Sequence, residues 1–292
     1  MSNKKRSINV LKRVVIDCIL LIALALCIEA TFRIWAPFQR GFFCDDETIK
    51  YPYKTDTVTV LVLRLVGLIP PLLAFLVCEW YVLRQDTRIQ RCFGIRIPTW
   101  ICGFYCVAAS FAFGCCFMEL AVNIGKSTIG RLRPHFFDVC RPSVNCTSPE
   151  YIGKYVQPDE YMCTGPMPDK YEDTHKSFPS GHSAWAAYTM FYLAFYLEGR
   201  MRRYGNRALR HTLAFIVVML SWFCALSRVS DNKHHWSDVL AGYTLGVFFA
   251  VIVWLWGTDI VKTESDDSTT TTNYPQMSVV TSEQMQPQNG HN

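Results

Sequence analysis

Two histidines, three basic residues and a carboxylate stand in three short runs that lie far apart in the chain. The first run holds Lys126, Arg133 and Pro134. The second is Pro179-Ser180-Gly181-His182, and the third extends from Ser227-Arg228 to His234 and Asp238. Lys126, Arg133 and Arg228 supply three cations, and the planar fork of arginine suits bidentate binding of phosphate. Pro179-Ser180-Gly181 reads as a helix start. Ser180 can cap it, Gly181 lets a ligand approach the backbone, and the free N–H groups there favour an anion. His182 falls in the first turn beside that anion. His234 and Asp238 are four residues apart on an incipient helix, so they share a face. A carboxylate bonded to one ring nitrogen leaves the other free as a nucleophile. Each run makes sense as part of one phosphate site.

Something must bring the runs together, and composition says what. Half of the 292 residues are hydrophobic and only 18% are charged, where a soluble domain carries about 25%. Mean hydropathy is +0.12 although both ends of the chain are strongly polar. Those values exclude a disordered chain, a collagen-like repeat and an ordinary soluble globule. The net charge of +5 is too small to argue for nucleic acid as a partner. Nine of the 13 cysteines lie in apolar runs or inner loops, so this is no disulfide-rich miniprotein. A bilayer core about 30 Å thick needs about 20 mostly apolar residues per helix. Six stretches qualify: Val14–Trp35, Val58–Leu83, Pro98–Ile124, Gly181–Leu197, Leu209–Leu226 and Val239–Trp256. The first is too long for a signal peptide and runs into Arg33 and Trp35 without a cleavage site. The expected fold is therefore all-α: a polytopic bundle of six transmembrane helices over residues 14–257. Residues 1–13 form a cytoplasmic tail, and residues 258–292 a polar, disordered cytoplasmic one.

Lys and Arg in the short loops orient the bundle. Lys4, Lys5, Arg6, Lys12 and Arg13 precede the first span. Arg84, Arg88, Arg91 and Arg96 follow the second, and Arg200, Arg202, Arg203, Arg207 and Arg210 join the fourth to the fifth. Both termini should be cytoplasmic, and the outer loops are about 37–57, 125–180 and 227–238. All three chemical runs then meet at the outer ends of the later spans, on one membrane face. Asn145-Cys146-Thr147 is a glycosylation sequon in the second outer loop. Cys44, Cys140, Cys146 and Cys163 lie outside as well, in an oxidising compartment, and at least one disulfide is expected among them; their pairing stays open.

The constellation resembles the lipid phosphate phosphatases, the integral-membrane branch of the type 2 phosphatidic acid phosphatase superfamily. Lys-x6-Arg-Pro matches Lys126 to Pro134, Pro-Ser-Gly-His matches Pro179 to His182, and Ser-Arg-x5-His-x3-Asp matches Ser227 to Asp238. Arg40 to Glu47 and Lys50-Tyr51-Pro52 are similar to the first outer loop of animal members. The resemblance implies that His234 is the nucleophile and forms a phosphohistidine. It implies that Asp238 orients His234, that His182 protonates the leaving lipid alcohol, and that water then hydrolyses the phosphoenzyme. Lys126, Arg133, Arg228, Ser180 and the Gly181 amide would hold the phosphoryl oxygens. It further implies phosphatidic acid, lysophosphatidic acid, sphingosine 1-phosphate and ceramide 1-phosphate as substrates, the plasma membrane as location, homo-oligomers, and a reaction without cofactor or magnesium. No carboxylate cluster in the sequence suits a magnesium ion.

Plainer expectations stand beside these. His235 is expected to be structural, since no Cys or His triad accompanies it for zinc. Arg131 is expected to face solvent, and His135 and His175 to be ordinary loop residues. Asp17, Glu29 and Glu79 can reach for an interface, whereas Glu119 and Asn123 are spaced to line the floor below the phosphate site. Three rival functions are weaker. A lipid-binding scaffold would not need both histidines and all the cations. A lipid phosphotransferase would share the site, and a channel would spread its polar residues along a pore.

Overall fold

The computed structural model describes residues 2–85, 89–92, 95–201 and 206–266. The chain divides into Met1–Gly257 and Thr258–Asn292. In chain order the helices are α1 (Ser2–Ile34), α2 (Val60–Leu83), α3 (Thr99–Ile129), α4 (Phe136–Cys140), α5 (Gly181–Arg200), α6 (Arg207–Ser230) and α7 (Trp236–Asp266). The strands are short: β1 (Phe42–Phe43), β2 (Ile89–Cys92), β3 (Ile95–Pro98) and β4 (Tyr155–Val156). The helix begun at Trp236 continues to Asp266, beyond the expected end of the bundle at 257. The rest of the expected tail, 267–292, and the inner-loop residues Arg88, Arg202 and Arg203 lie outside the described residues.

Five of the six expected spans are long and apolar enough to cross a bilayer: α1 from Lys12, α2, α3, α6 and α7 as far as Trp256. The chain is a multi-pass membrane protein. The expected fourth span, α5, falls short of that test, and its burial explains why. Thirteen of its 20 residues are buried, so it faces other helices instead of lipid and carries Ser, Thr, Tyr and Trp where a lipid-facing helix carries Leu and Val. It packs on α2, α3 and α6, and small residues admit it closely to α7. An added Cβ at Gly242 would lie 2.3 Å from the Ser180 carbonyl oxygen, and one at Gly246 2.3 Å from that of Ala184. Phe75, Phe111, Tyr188, Tyr192 and Tyr196 fill the space around it, mostly edge to face.

Charges inside the bundle are paired, as a low-dielectric interior demands. Glu79, expected to reach for an interface, is buried and receives Arg200 Nε at 2.8 Å, Arg200 Nη2 at 2.6 Å and the Tyr196 hydroxyl at 2.9 Å. Asp17 accepts from Tyr105 Oη at 2.7 Å, and exposed Glu29 pairs with Arg33 one turn on. Glu119 takes Arg64 Nη2 at 2.8 Å, and that guanidinium sits 3.9 Å from the centre of the Trp185 ring.

A small lobe covers one end of the bundle. Its core joins Phe42, Ile49, Leu132, Phe136, Val156 and Tyr161, and β1 pairs antiparallel with β4. Two disulfides lie here, Cys44–Cys146 and Cys140–Cys163, so all four cysteines expected outside are paired. Asn145 is exposed between them and its side chain accepts from Thr147 N and Oγ1. Residues 51–57 cross the lobe as a strap. Tyr51 N donates to Pro134 O, Tyr53 N to Asp138, and Thr57 N and Oγ1 to Asp231.

The close approach of α5 and α7 gives a test. Gly246→Val would push a side chain into the α5 backbone, and overpacking of this kind costs about 1–3 kcal/mol. We expect a lower melting temperature for the detergent-solubilised protein together with lost activity. An unchanged melting curve would contradict this packing.

Candidate active site

The site forms where α3, α5, α6 and α7 end or begin at the lobe. Lys126 stands in the last turn of α3, which stops at Gly130 in the left-handed conformation (φ 58°). A side chain there would strike the Phe38 carbonyl at 1.9 Å, so only glycine serves. The chain turns back, and Arg133 is buried beneath residues 173–177: its N–H donates to Thr174 O at 2.8 Å, Nε to Asp173 O at 2.9 Å and Nη2 to Asp173 Oδ1 at 2.7 Å.

That same strand of backbone leads into the second run. Ser180 caps α5, its hydroxyl accepting from Ser183 N at 3.4 Å and from Ser183 Oγ at 2.9 Å. Its N–H donates to Asp238 O at 3.0 Å, which locks the start of α5 to the start of α7. A Cβ on Gly181 would sit 3.4 Å from Lys126 Nζ. The ammonium group therefore hangs over the first turn of α5, where the free N–H groups and the helix dipole also point. His182 follows, and its Nε2 is buried without a hydrogen-bond partner.

Arg228 closes the group from the end of α6. It is 2% exposed, pairs with Asp56 Oδ1 through Nη2 at 2.7 Å, approaches Asp231 Oδ2 at 3.5 Å, and leaves Nε unpartnered. His234 is buried, and its Nδ1 lies 2.7 Å from the Ser177 carbonyl oxygen. Burial, followed by the charges of Arg133, Lys126, Arg228 and His182, pushes the His234 imidazolium well below its ordinary range. The ring is therefore neutral at neutral pH. With Nδ1–H given to a carbonyl, Nε2 carries the free lone pair. The expected site residues Lys126, Arg133, Ser180, Gly181, His182, Arg228 and His234 thus converge around one small volume.

Asp238 is also there, but not as the spacing suggested. The ring nitrogen of His234 expected to face its carboxylate is bonded to Ser177 O instead. Asp238 accepts from Ser177 Oγ at 2.6 Å, from His235 N at 3.0 Å and from Arg131 Nη1 at 2.5 Å, and lies 3.1 Å from His235 Nδ1. The reason is helical geometry. His234 precedes α7, outside the regular turn that would stack it on residue 238. Arg131, half-buried, consequently bonds to Asp238 and Ser237 instead of standing free in solvent, and His235 is held by a carboxylate. His135 and His175 are not ordinary loop residues either, being 2% and 4% exposed within the lobe. Glu119, spaced to line the floor below the phosphate, is engaged by Arg64.

Several participants carried no motif. Asp56 supplies the carboxylate on Arg228, and burial, which alone would raise its pKa, is outweighed by the Arg228 guanidinium and by Lys233, leaving the carboxyl below its usual range. Asp173 does the same service for Arg133. Ser177 lies three residues before Ser180 and touches both other runs. An isolated Asp in a loop or a Ser outside the signature sends no signal in a single sequence.

Residues 105–262 match the PAP2 superfamily. The chain is 38% identical over 255 residues to phospholipid phosphatase 1 of Rattus norvegicus, covering 86% of each chain. It is 36% identical to phospholipid phosphatase 1 of Mus musculus, over 84% of this chain and 83% of the relative. With phospholipid phosphatase 2 of Rattus norvegicus the identity is 34%, over 80% and 81%. No solved structure matches the chain.

Buried imidazoles make stability depend on pH. Burial above all pushes His135 from 6.5 down to about 4, and burial lowers His175 and His234 too. Between pH 4 and 6.5 the unfolded chain binds protons at these histidines that the folded one refuses, so stability rises with pH across that window. His135 alone should remove about 2 kcal/mol on going from pH 7.5 to pH 5. Melting temperatures in detergent should fall over this interval, and His135→Gln should flatten the slope even where it lowers the plateau. An unchanged slope in the variant would contradict the assignment.

Proposed function

The chain belongs to the PAP2 superfamily and is a phosphatase, and from that premise we propose that it hydrolyses lipid phosphate monoesters through a phosphohistidine on His234. The substrates are phosphatidic acid, lysophosphatidic acid, sphingosine 1-phosphate and ceramide 1-phosphate. One arrangement carries the reading: buried His234 and the unpartnered Nε2 of His182 lie among the charges of Lys126, Arg133 and Arg228 at the start of α5.

The phosphoryl oxygens are taken by Lys126, Arg133, Arg228, the Ser180 hydroxyl and the Gly181 amide. Positioning and charge supply most of the acceleration in phosphoryl transfer, and three fixed cations fill the role that a metal fills elsewhere. His234 Nε2 attacks phosphorus. The bond from phosphorus to the lipid oxygen breaks, and His182, protonated by taking the proton of the phosphate monoanion seated beside it, gives that proton to the lipid oxygen, releasing the alcohol. Neutral His182 then takes a proton from water as the water oxygen attacks phosphorus. The phosphorus–nitrogen bond breaks, inorganic phosphate leaves, and His182 is again protonated.

A site at the membrane surface suits an amphiphile whose tails stay in the bilayer. We assign the protein to the plasma membrane, with its active site extracellular or luminal and both termini cytoplasmic. The two disulfides of the lobe and the exposed, glycosylatable Asn145 support that side.

The test is phosphate release from a panel of lipid phosphates with EDTA present, using intact and then permeabilised cells. Release in intact cells, undiminished by EDTA, is expected. His234→Ala and His182→Ala should each lower it at least about 10³-fold with expression and topology unchanged. Parental activity in purified His234→Ala protein would remove the nucleophile assignment.

A further inference from the structure

Ser177 lies outside the phosphate-binding set, yet three of its groups reach Arg131, His234 and Asp238. Its N–H donates to Arg131 O at 3.1 Å, its carbonyl oxygen lies 2.7 Å from His234 Nδ1, and its hydroxyl donates to Asp238 Oδ2 at 2.6 Å. The residue is wholly buried, so each bond lies in a low dielectric, where hydrogen-bonded chains reinforce one another. Asp238, for its part, has no exposed side-chain surface and is surrounded by Arg131, His235 and Ser177.

We infer that Ser177 is a positioning residue that transmits the hold of Asp238 to the nucleophile. The Asp238 carboxylate fixes the hydroxyl, the hydroxyl fixes the Ser177 peptide, and the Ser177 carbonyl takes the Nδ1–H of His234. This inference rests on the phosphohistidine reading. When Nε2 bonds to phosphorus, positive charge spreads over the imidazole and the Nδ1–H···O=C bond strengthens. No proton leaves Nδ1, and the ring keeps the tautomer that the attack requires. Asp238 thus works across one intervening residue, and Arg131 and His235 hold its carboxylate in register from the far side. The aspartate of the third run and the serine before the second run form one mechanical unit, so their losses overlap.

A double-mutant cycle on the purified full-length protein, with phosphatidic acid in mixed micelles, reads this directly. Ser177→Ala and Asp238→Asn should each lower kcat about 30-fold with KM within about 2-fold, because the coupling acts on the reacting ring and not on substrate binding. The double variant should fall no more than about 3-fold below the weaker single, whereas independent roles would multiply to about 10³-fold. Ser177→Thr, which keeps a hydroxyl, should regain kcat to within about 5-fold of the parent. Multiplicative losses overturn the inference, and so does a folded Ser177→Thr protein as impaired as Ser177→Ala. If Ser177→Ala does not fold, Ser177→Cys, with its weaker donor, takes its place in the cycle under the same criterion. His234→Ala run alongside separates the two readings: its retained activity removes the nucleophile, while multiplicative losses beside an inactive His234→Ala remove only the coupling.

Discussion

Lys126, Arg133 and Arg228 repel one another, and the fold must hold them together before any phosphate arrives. It does so with carboxylates drawn from elsewhere in the chain. Asp173 lies against Arg133, Asp56 against Arg228, and Asp231 stands behind. Uncompensated cations in a buried pocket would cost several kcal/mol each, so the counter-charges are a condition of the site existing at all. Much of the lobe serves that condition. The strap from Tyr51 to Thr57 delivers Asp56, and the turn after Met167 delivers Asp173. The disulfide between Cys44 and Cys146 ties the strap's root to the loop between α4 and α5, and with it the two carboxylates share one frame.

The bundle answers the same demand from below. α5 must present a bare N-terminus at the end of the bundle, so it stands in the middle, where other helices cover its sides. Glycines on α7 bring that helix against the α5 backbone, and Gly67 of α2 and Gly114 of α3 make room for its Trp185 and Tyr188 side chains. Far below, Glu79 and Arg200 clasp α2 to the other end of α5. The helix that carries Ser180, Gly181 and His182 is therefore the one least free to tilt.

The three chemical runs, the helical architecture and the four cysteines of the lobe were legible in the sequence because each is written in local spacing or hydropathy. What escaped was written in three dimensions. α5 reads as a span of ordinary kind, although its neighbours had already taken the lipid-facing role. His234 and Asp238 invite a direct bond because helical spacing is assumed before the helix begins; α7 starts only at Trp236, and Ser177 fills the gap. Asp56 and Asp173 are acids in polar loops, indistinguishable from solvated ones until the strap and the turn fold over the arginines. Arg131 belongs to the same class: its partner, Asp238, is 107 residues away.

The carboxylates on the two arginines bear on turnover as well as on folding. On the proposed reaction, an incoming phosphate trades places with anions already seated, and binding is an ion exchange inside the protein. Inorganic phosphate departs by the same trade run backwards, with Asp56 and Asp173 tethered within reach of the guanidiniums it vacates. A pocket built to grip a dianion would otherwise hold its product; these tethered substitutes let it let go.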